Sequence, residues 1–134
     1  ECSFSIETVD KSQRKNPIDI NMRIFDDGSH SVNRTKVFIY DMALMFNDFT
    51  RLRHPRLLVH DNIFDVDQDT LVQCLNYLQK QEEKFQDFQY ILTLNRDKIE
   101  SEEKKNLIKM DIKLHTVAVF TKKKKFLKKD YQEK

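Results

Sequence analysis

Apolar and polar positions change rhythm several times along this chain, and each change marks an element. Phe4, Ile6 and Thr8 alternate with Ser5, Glu7 and Val9, the period of two expected of a half-buried strand. A polar turn from Asp10 to Asn16 ends at Pro17. Alternation then resumes from Ile18 to Phe25, with Ile18, Ile20, Met22 and Ile24 on one face. An antiparallel pair is the economical reading, with Asp19, Asn21 and Arg23 turned to solvent. Asp26 to Arg34 is a loop of small polar residues. The run Val37–Phe46 is apolar nearly all round, and its Met, Ala and Leu content predicts a buried helix ending near Phe49. Ser31 or Asn33 would cap that helix. Taken alone, Val37–Tyr40 would also suit a strand.

Beyond the turn at Pro55 the rhythm changes again. Leu57, Leu58 and Val59 run without alternation into His60 and Asp61, which predicts a strand covered on both faces with polar residues at its carboxyl end, where α/β sheets bind ligands. Leu71, Val72, Cys74, Leu75 and Leu78 recur at helical spacing, with Asp67 or Asp69 as the cap and a solvated tail from Gln79 to Lys84. Phe88–Leu94 is a second buried strand ending in Asn95. A right-handed crossover between two such strands would open Asp61 and Asn95 on the same edge. Glu100–Met110 predicts a short polar helix and Leu114–Phe120 a last strand. Residues 121–134 form a basic tail expected to be solvated and flexible.

Composition narrows the possibilities. A length of 134 residues fits one domain, and the element order makes it α/β. A formal charge of +2 is too small to argue for nucleic acid. Cys2 and Cys74 match no metal spacing and read as reduced thiols of a cytoplasmic protein. No apolar run approaches the ~20 residues of a membrane span. Gly28 is the one glycine, so a Gly-rich phosphate loop is excluded. The chain opens on Glu1 rather than Met, which suggests a piece of a longer protein.

A polar loop entering a helix, a strand ending in an acid and a further strand ending in a polar residue resemble the C-terminal half of an ABC-type ATPase head. That half is ordered as signature motif, Walker B strand, D-loop and switch strand. The strings Lys36–Asp41, Leu58–Asp61 and Tyr90–Asn95 are similar to a bacterial family of SMC-like coiled-coil ATPases, whose C-terminal domain carries a "domain of unknown function" label. The resemblance covers roughly Asp19 to Asp97 and implies the C-terminal lobe of a nucleotide-binding head. ATP and Mg2+ would bind only in the complete head. The implied partners are an N-terminal lobe of the same ATPase and a second head dimerised around ATP. DNA enters by analogy with SMC-like proteins, through roles in repair, chromosome maintenance or defence.

The resemblance also assigns roles to residues. Gly28–Arg34 takes the place of the signature loop, with Ser29, Ser31 and Asn33 facing the γ-phosphate. It has one glycine where that motif has two or three. Two registers fit the Walker B position. In one, Asp61 is the metal-side acid and Asn62 stands in the place of the base. In the other, which we prefer, His60 and Asp61 replace the usual acid pair: Asp61 positions the attacking water, His60 is metal-side or supports it, and Asp67 is the D-loop aspartate. Asn95 stands at the switch position. An ordinary capped helix, a hydrogen-bonded histidine and turn acids remain the plain structural readings of the same residues. Two other functions fit them as well: a non-catalytic interaction module, and a metal-dependent phosphodiesterase using His60, Asp61, Asp65 and Asp67.

Overall fold

In a computed structural model of the chain, residues 2–8, 17–24, 30–101 and 105–126 are described. The expected turn at 10–16 and Ser29 lie outside them, as do Val9, Phe25 and 127–134 of the expected tail.

The chain forms a mixed α/β structure with one antiparallel and one parallel strand pair. Strands β1 (Ser3–Thr8) and β2 (Ile18–Arg23) pair in antiparallel fashion, with Phe4 opposite Met22, Ile6 opposite Ile20 and Thr8 opposite Ile18. The alternation thus places the apolar residues on one face. That face is not covered: Phe4, Ile6, Ile18 and Ile20 are about half exposed or more, whereas only the polar face was expected to meet solvent.

Helix α1 runs from His30 to Phe46. It begins earlier than expected, so His30–Arg34 is helix rather than loop, and Ser31 and Asn33 lie within the first turns instead of capping them. Its burial is also one-sided. Phe38, Met42, Met45 and Phe46 are buried, while Val37, Ile39 and Tyr40 are exposed. The helix stops where Asn47 adopts an extended backbone and its side chain accepts from the amide of Phe49, capping the short α2 (Asp48–Arg51).

Strands β3 (Leu57–His60) and β4 (Gln89–Leu92) are parallel, with His60 opposite Leu92. Helix α3 (Gln68–Lys84) connects them, as the expected crossover requires. Asp67 is its cap, accepting from the Thr70 amide at 2.8 Å. Leu71, Cys74, Leu75 and Leu78 of α3 form one cluster with Met42, Met45 and Phe46 of α1, and Ile63, Phe64 and Val66 of the β3–α3 loop close it. Both helices and that loop therefore share a core, to which the strands add Leu58, Tyr90 and Leu92. The opposite sheet face, carrying Leu57, Val59 and Ile91, is open, so β3 is covered on one face and not on both.

The C-terminal part departs most from expectation. Part of the predicted helix at 100–110 falls on 102–104, outside the described residues. Of its described remainder, Lys105 is helical, with its amide bonded to the Ser101 carbonyl, while 106–107 are turn and 108–110 are irregular. A 3-10 turn spans Arg96–Lys98. The expected strand Leu114–Phe120 is absent: Ile112–His115 is a single helical turn, α4, and residues 116–121 are irregular. Local capping explains the difference, because the Asp111 carboxylate accepts from the amides of Lys113 and Leu114, and His115 pairs with Glu82 of α3.

Candidate functional site at the carboxyl edge of the parallel strands

Parallel strands joined by a helix end on one edge, and here that edge carries the polar residues. Asp61 follows β3 directly. Its Oδ1 accepts the hydroxyl of Thr93, just past β4, at 2.5 Å, and the Thr93 oxygen accepts the Asn62 amide at 2.9 Å. Asn62 turns the chain in the left-handed region, with φ of 56°, a conformation asparagine tolerates better than most residues. One open cleft of about 440 Å³ is lined by Asp61, Asn62, Thr93, Leu94 and Asn95. The side chain of Asn95 makes no capping bond to the 3-10 turn that follows it. A second cleft, of about 470 Å³, lies beside the first and shares Asp61 and Asn62; Arg34, Val37 and Val59 also line it.

His60 is the one buried polar residue in the described core, at 8% exposure. Its Nε2 lies 2.9 Å from Oδ2 of Asp41 on α1, and its Nδ1 lies 2.8 Å from the hydroxyl of Tyr90 on β4. A neutral ring satisfies both partners when Nε2–H donates to Asp41 and the Tyr90 hydroxyl donates to Nδ1. This junction ties together α1, β3 and β4, the elements that carry the site. Burial pushes the Tyr90 hydroxyl well above its ordinary pKa, with the charges of Cys74 and Asp41 adding to the effect, so it stays protonated near neutrality. The buried Cys74 thiol is likewise pushed up, to about 12, chiefly by desolvation, which makes it an unreactive core residue.

Acids in the β3–α3 loop are engaged as well. Asp65 accepts from Lys98 at 2.8 Å and from Arg34 at 2.7 Å, and these bonds, Lys98 first, hold its carboxyl below the usual range. The Thr70 hydroxyl and amide do the same for Asp67. Ser31 reaches Asp67 at the margin of hydrogen-bonding distance, 3.5 Å to Oδ2 and 3.4 Å from the Asp67 amide. Asn33 is exposed on α1. The structure thus gathers Asp61 with Asn95 and, separately, Ser31 with Asp67. His60 spends both ring nitrogens on Asp41 and Tyr90 and offers neither to a metal in this arrangement. Among the described residues no three His, Cys, Asp or Glu side chains converge as a metal cage.

Sequence reasoning missed Asp41, Tyr90, Thr93, Arg34 and Lys98. Asp41 had a readable signal, since a single acid within an otherwise apolar helical run requires a polar partner once the helix is packed. Tyr90 and Thr93 read as ordinary strand residues, and nothing local marks Lys98.

A protein-family model described as "Uncharacterised protein conserved in bacteria (DUF2326)" matches residues 1–131. No curated protein and no solved structure matches the chain.

Proposed function

The chain belongs to that bacterial family, and from the resemblance of its motif order to SMC-like coiled-coil ATPases we propose that it is the C-terminal lobe of the nucleotide-binding head of such an ATPase. The observation that carries this reading is the shared strand edge, where Asp61, Thr93 and Asn95 line one cleft beside the end of a parallel pair. The open apolar face at Leu57, Val59 and Ile91 also supports it, because parallel sheets are ordinarily covered on both faces. In the proposal an N-terminal lobe of the same ATPase covers that face and brings the phosphate cradle that the single glycine excludes here.

Asp61 orients water at the γ-phosphate, and the Thr93 hydroxyl holds its carboxylate in place. Mg2+ often uses only one or two protein carboxylates beside the phosphates, and the exposed Asp61 fits that need. When bound, the ion neutralises charge on the transferred group. His60 acts by position, locking the end of β3 to α1 and β4 through Asp41 and Tyr90. Asn95 donates its amide to phosphate, while Ser31, Asn33 and Asp67 face a second head across an ATP-dependent dimer. DNA is the partner that the analogy with SMC-like proteins adds.

The test is calorimetric. Adding an equimolar N-terminal lobe should create Mg-ATP binding that neither part has alone, and its absence would defeat the proposal. In the full-length protein, Asp61→Asn should abolish turnover and preserve ATP-driven association. A second reading, a non-catalytic interaction module, draws on the exposed apolar face of the β1–β2 pair. It requires Asp61→Asn to leave partner binding unchanged and the parent protein to show no turnover.

A further inference from the structure

Lys98 closes the 3-10 turn after β4 and reaches across to the β3–α3 loop. Its Nζ lies 2.8 Å from Oδ1 of Asp65, 3.3 Å from the Phe64 carbonyl and 3.2 Å from the Val66 carbonyl. Three donors thus meet three acceptors, all from consecutive residues, and the side chain is only 23% exposed. Two backbone carbonyls and a carboxylate converging on one point make a cation cradle, and the ammonium occupies its centre. On the other side, Arg34 of α1 donates to Oδ2 and to the backbone carbonyl of Asp65. The loop is therefore held between cations from two distant elements, immediately before the Asp67 cap of α3.

We propose that the Phe64–Val66 loop is a monovalent-cation site whose resident ion is the Lys98 ammonium, carried by the chain itself. Potassium and ammonium are close in size, and carbonyl oxygens suit both. With Lys98 in place, the loop needs no ion from solution and holds Asp67 at the start of α3 whatever the salt. Truncating the side chain would leave the acceptors in place and open the cradle to a soluble cation. Nothing in this arrangement depends on ATP.

The experiment measures amide hydrogen exchange by mass spectrometry over Asn62–Leu71 in the full-length protein, in lithium chloride and in ammonium or methylammonium chloride at equal ionic strength. The parent protein should exchange equally in all three salts. Lys98→Ala should exchange about tenfold faster or more in lithium, the scale of a lost charge-assisted hydrogen bond. Ammonium or methylammonium should restore most of the protection. Lys98→Met, whose side chain keeps the space filled, should be loosened in every salt. Protection of Lys98→Ala in lithium equal to the parent's, or loosening that no cation reverses, would overturn the proposal. If Lys98→Ala is unfolded in lithium, its refolding on addition of ammonium reads the same dependence, and failure to refold counts against it.

Discussion

Replacing Tyr90 by Phe removes one oxygen and little else, which makes it a clean probe of the buried His60 junction. The hydroxyl lies 2.8 Å from His60 Nδ1, and His60 is 8% exposed, so water cannot easily replace it. The bond itself is worth about 0.5–1.5 kcal/mol net, but leaving the buried ring nitrogen without its donor raises the cost to about 1–3 kcal/mol. Phe offsets part of this, because it carries no hydroxyl to desolvate. A net cost of about 1.5 kcal/mol follows. For a urea m-value of about 1–3 kcal/mol/M, the midpoint of unfolding followed by circular dichroism should fall by roughly 0.5–1.5 M with m unchanged. Asp41→Ala should show coupling to Tyr90→Phe in a double-mutant cycle, because both act through one ring. A change below about 0.3 kcal/mol for Tyr90→Phe, or strict additivity of the pair, would refute the argument that His60 joins three elements in one network.

Three further outcomes follow from the packing and charges. Leu75 is 1% exposed within the α1–α3 core, so Leu75→Ala should cost about 2–5 kcal/mol in the same urea experiment. Asp67→Ala should cost about 1 kcal/mol through loss of the α3 cap. Because the folded state lowers the pKa of Asp67, its contribution is complete above the unfolded carboxylate value and is lost as pH falls through the lower folded value. The gap between parent and variant should therefore narrow under acid. His115 is raised instead, by the Asp111 carbonyl first and then by Glu82. Its contribution, about 0.2–1 kcal/mol for an exposed pair, should be full below its unfolded value and lost as pH rises through the folded one. An NMR titration of the ring together with the stability of His115→Ala at both ends of that range will check this.

Repetition along the chain was enough to place β1, β2 and α3 to within a few residues, because each has a period that only one kind of backbone satisfies, while β4 was placed by a short apolar run. The α3 cap, narrowed to Asp67 or Asp69, and the parallel pairing of β3 with β4 were legible because capping is local chemistry and a strand–helix–strand unit of this length brings its strands together in parallel. Period could not say which apolar faces would be covered. It treated Val37, Ile39 and Tyr40 as core and Leu57 and Val59 as doubly covered, yet all five are exposed. Nor could it see that Asp111 and Thr116 would close residues 112–115 into a helical turn where the alternation of Leu114–Phe120 suggested a strand.

Composition and motif order singled out His60 and Asp61 at the end of β3, and the strand edge does bring Asp61 beside Asn95. Only the tertiary structure gave His60 its two partners, fixed Asp61 to Thr93 and seated Lys98 among three oxygens. Those bonds join residues far apart in sequence, and a side chain's partner at such distances is decided by how α1 and α3 pack against the strands. Local sequence chose the elements; packing chose which polar groups had to satisfy one another.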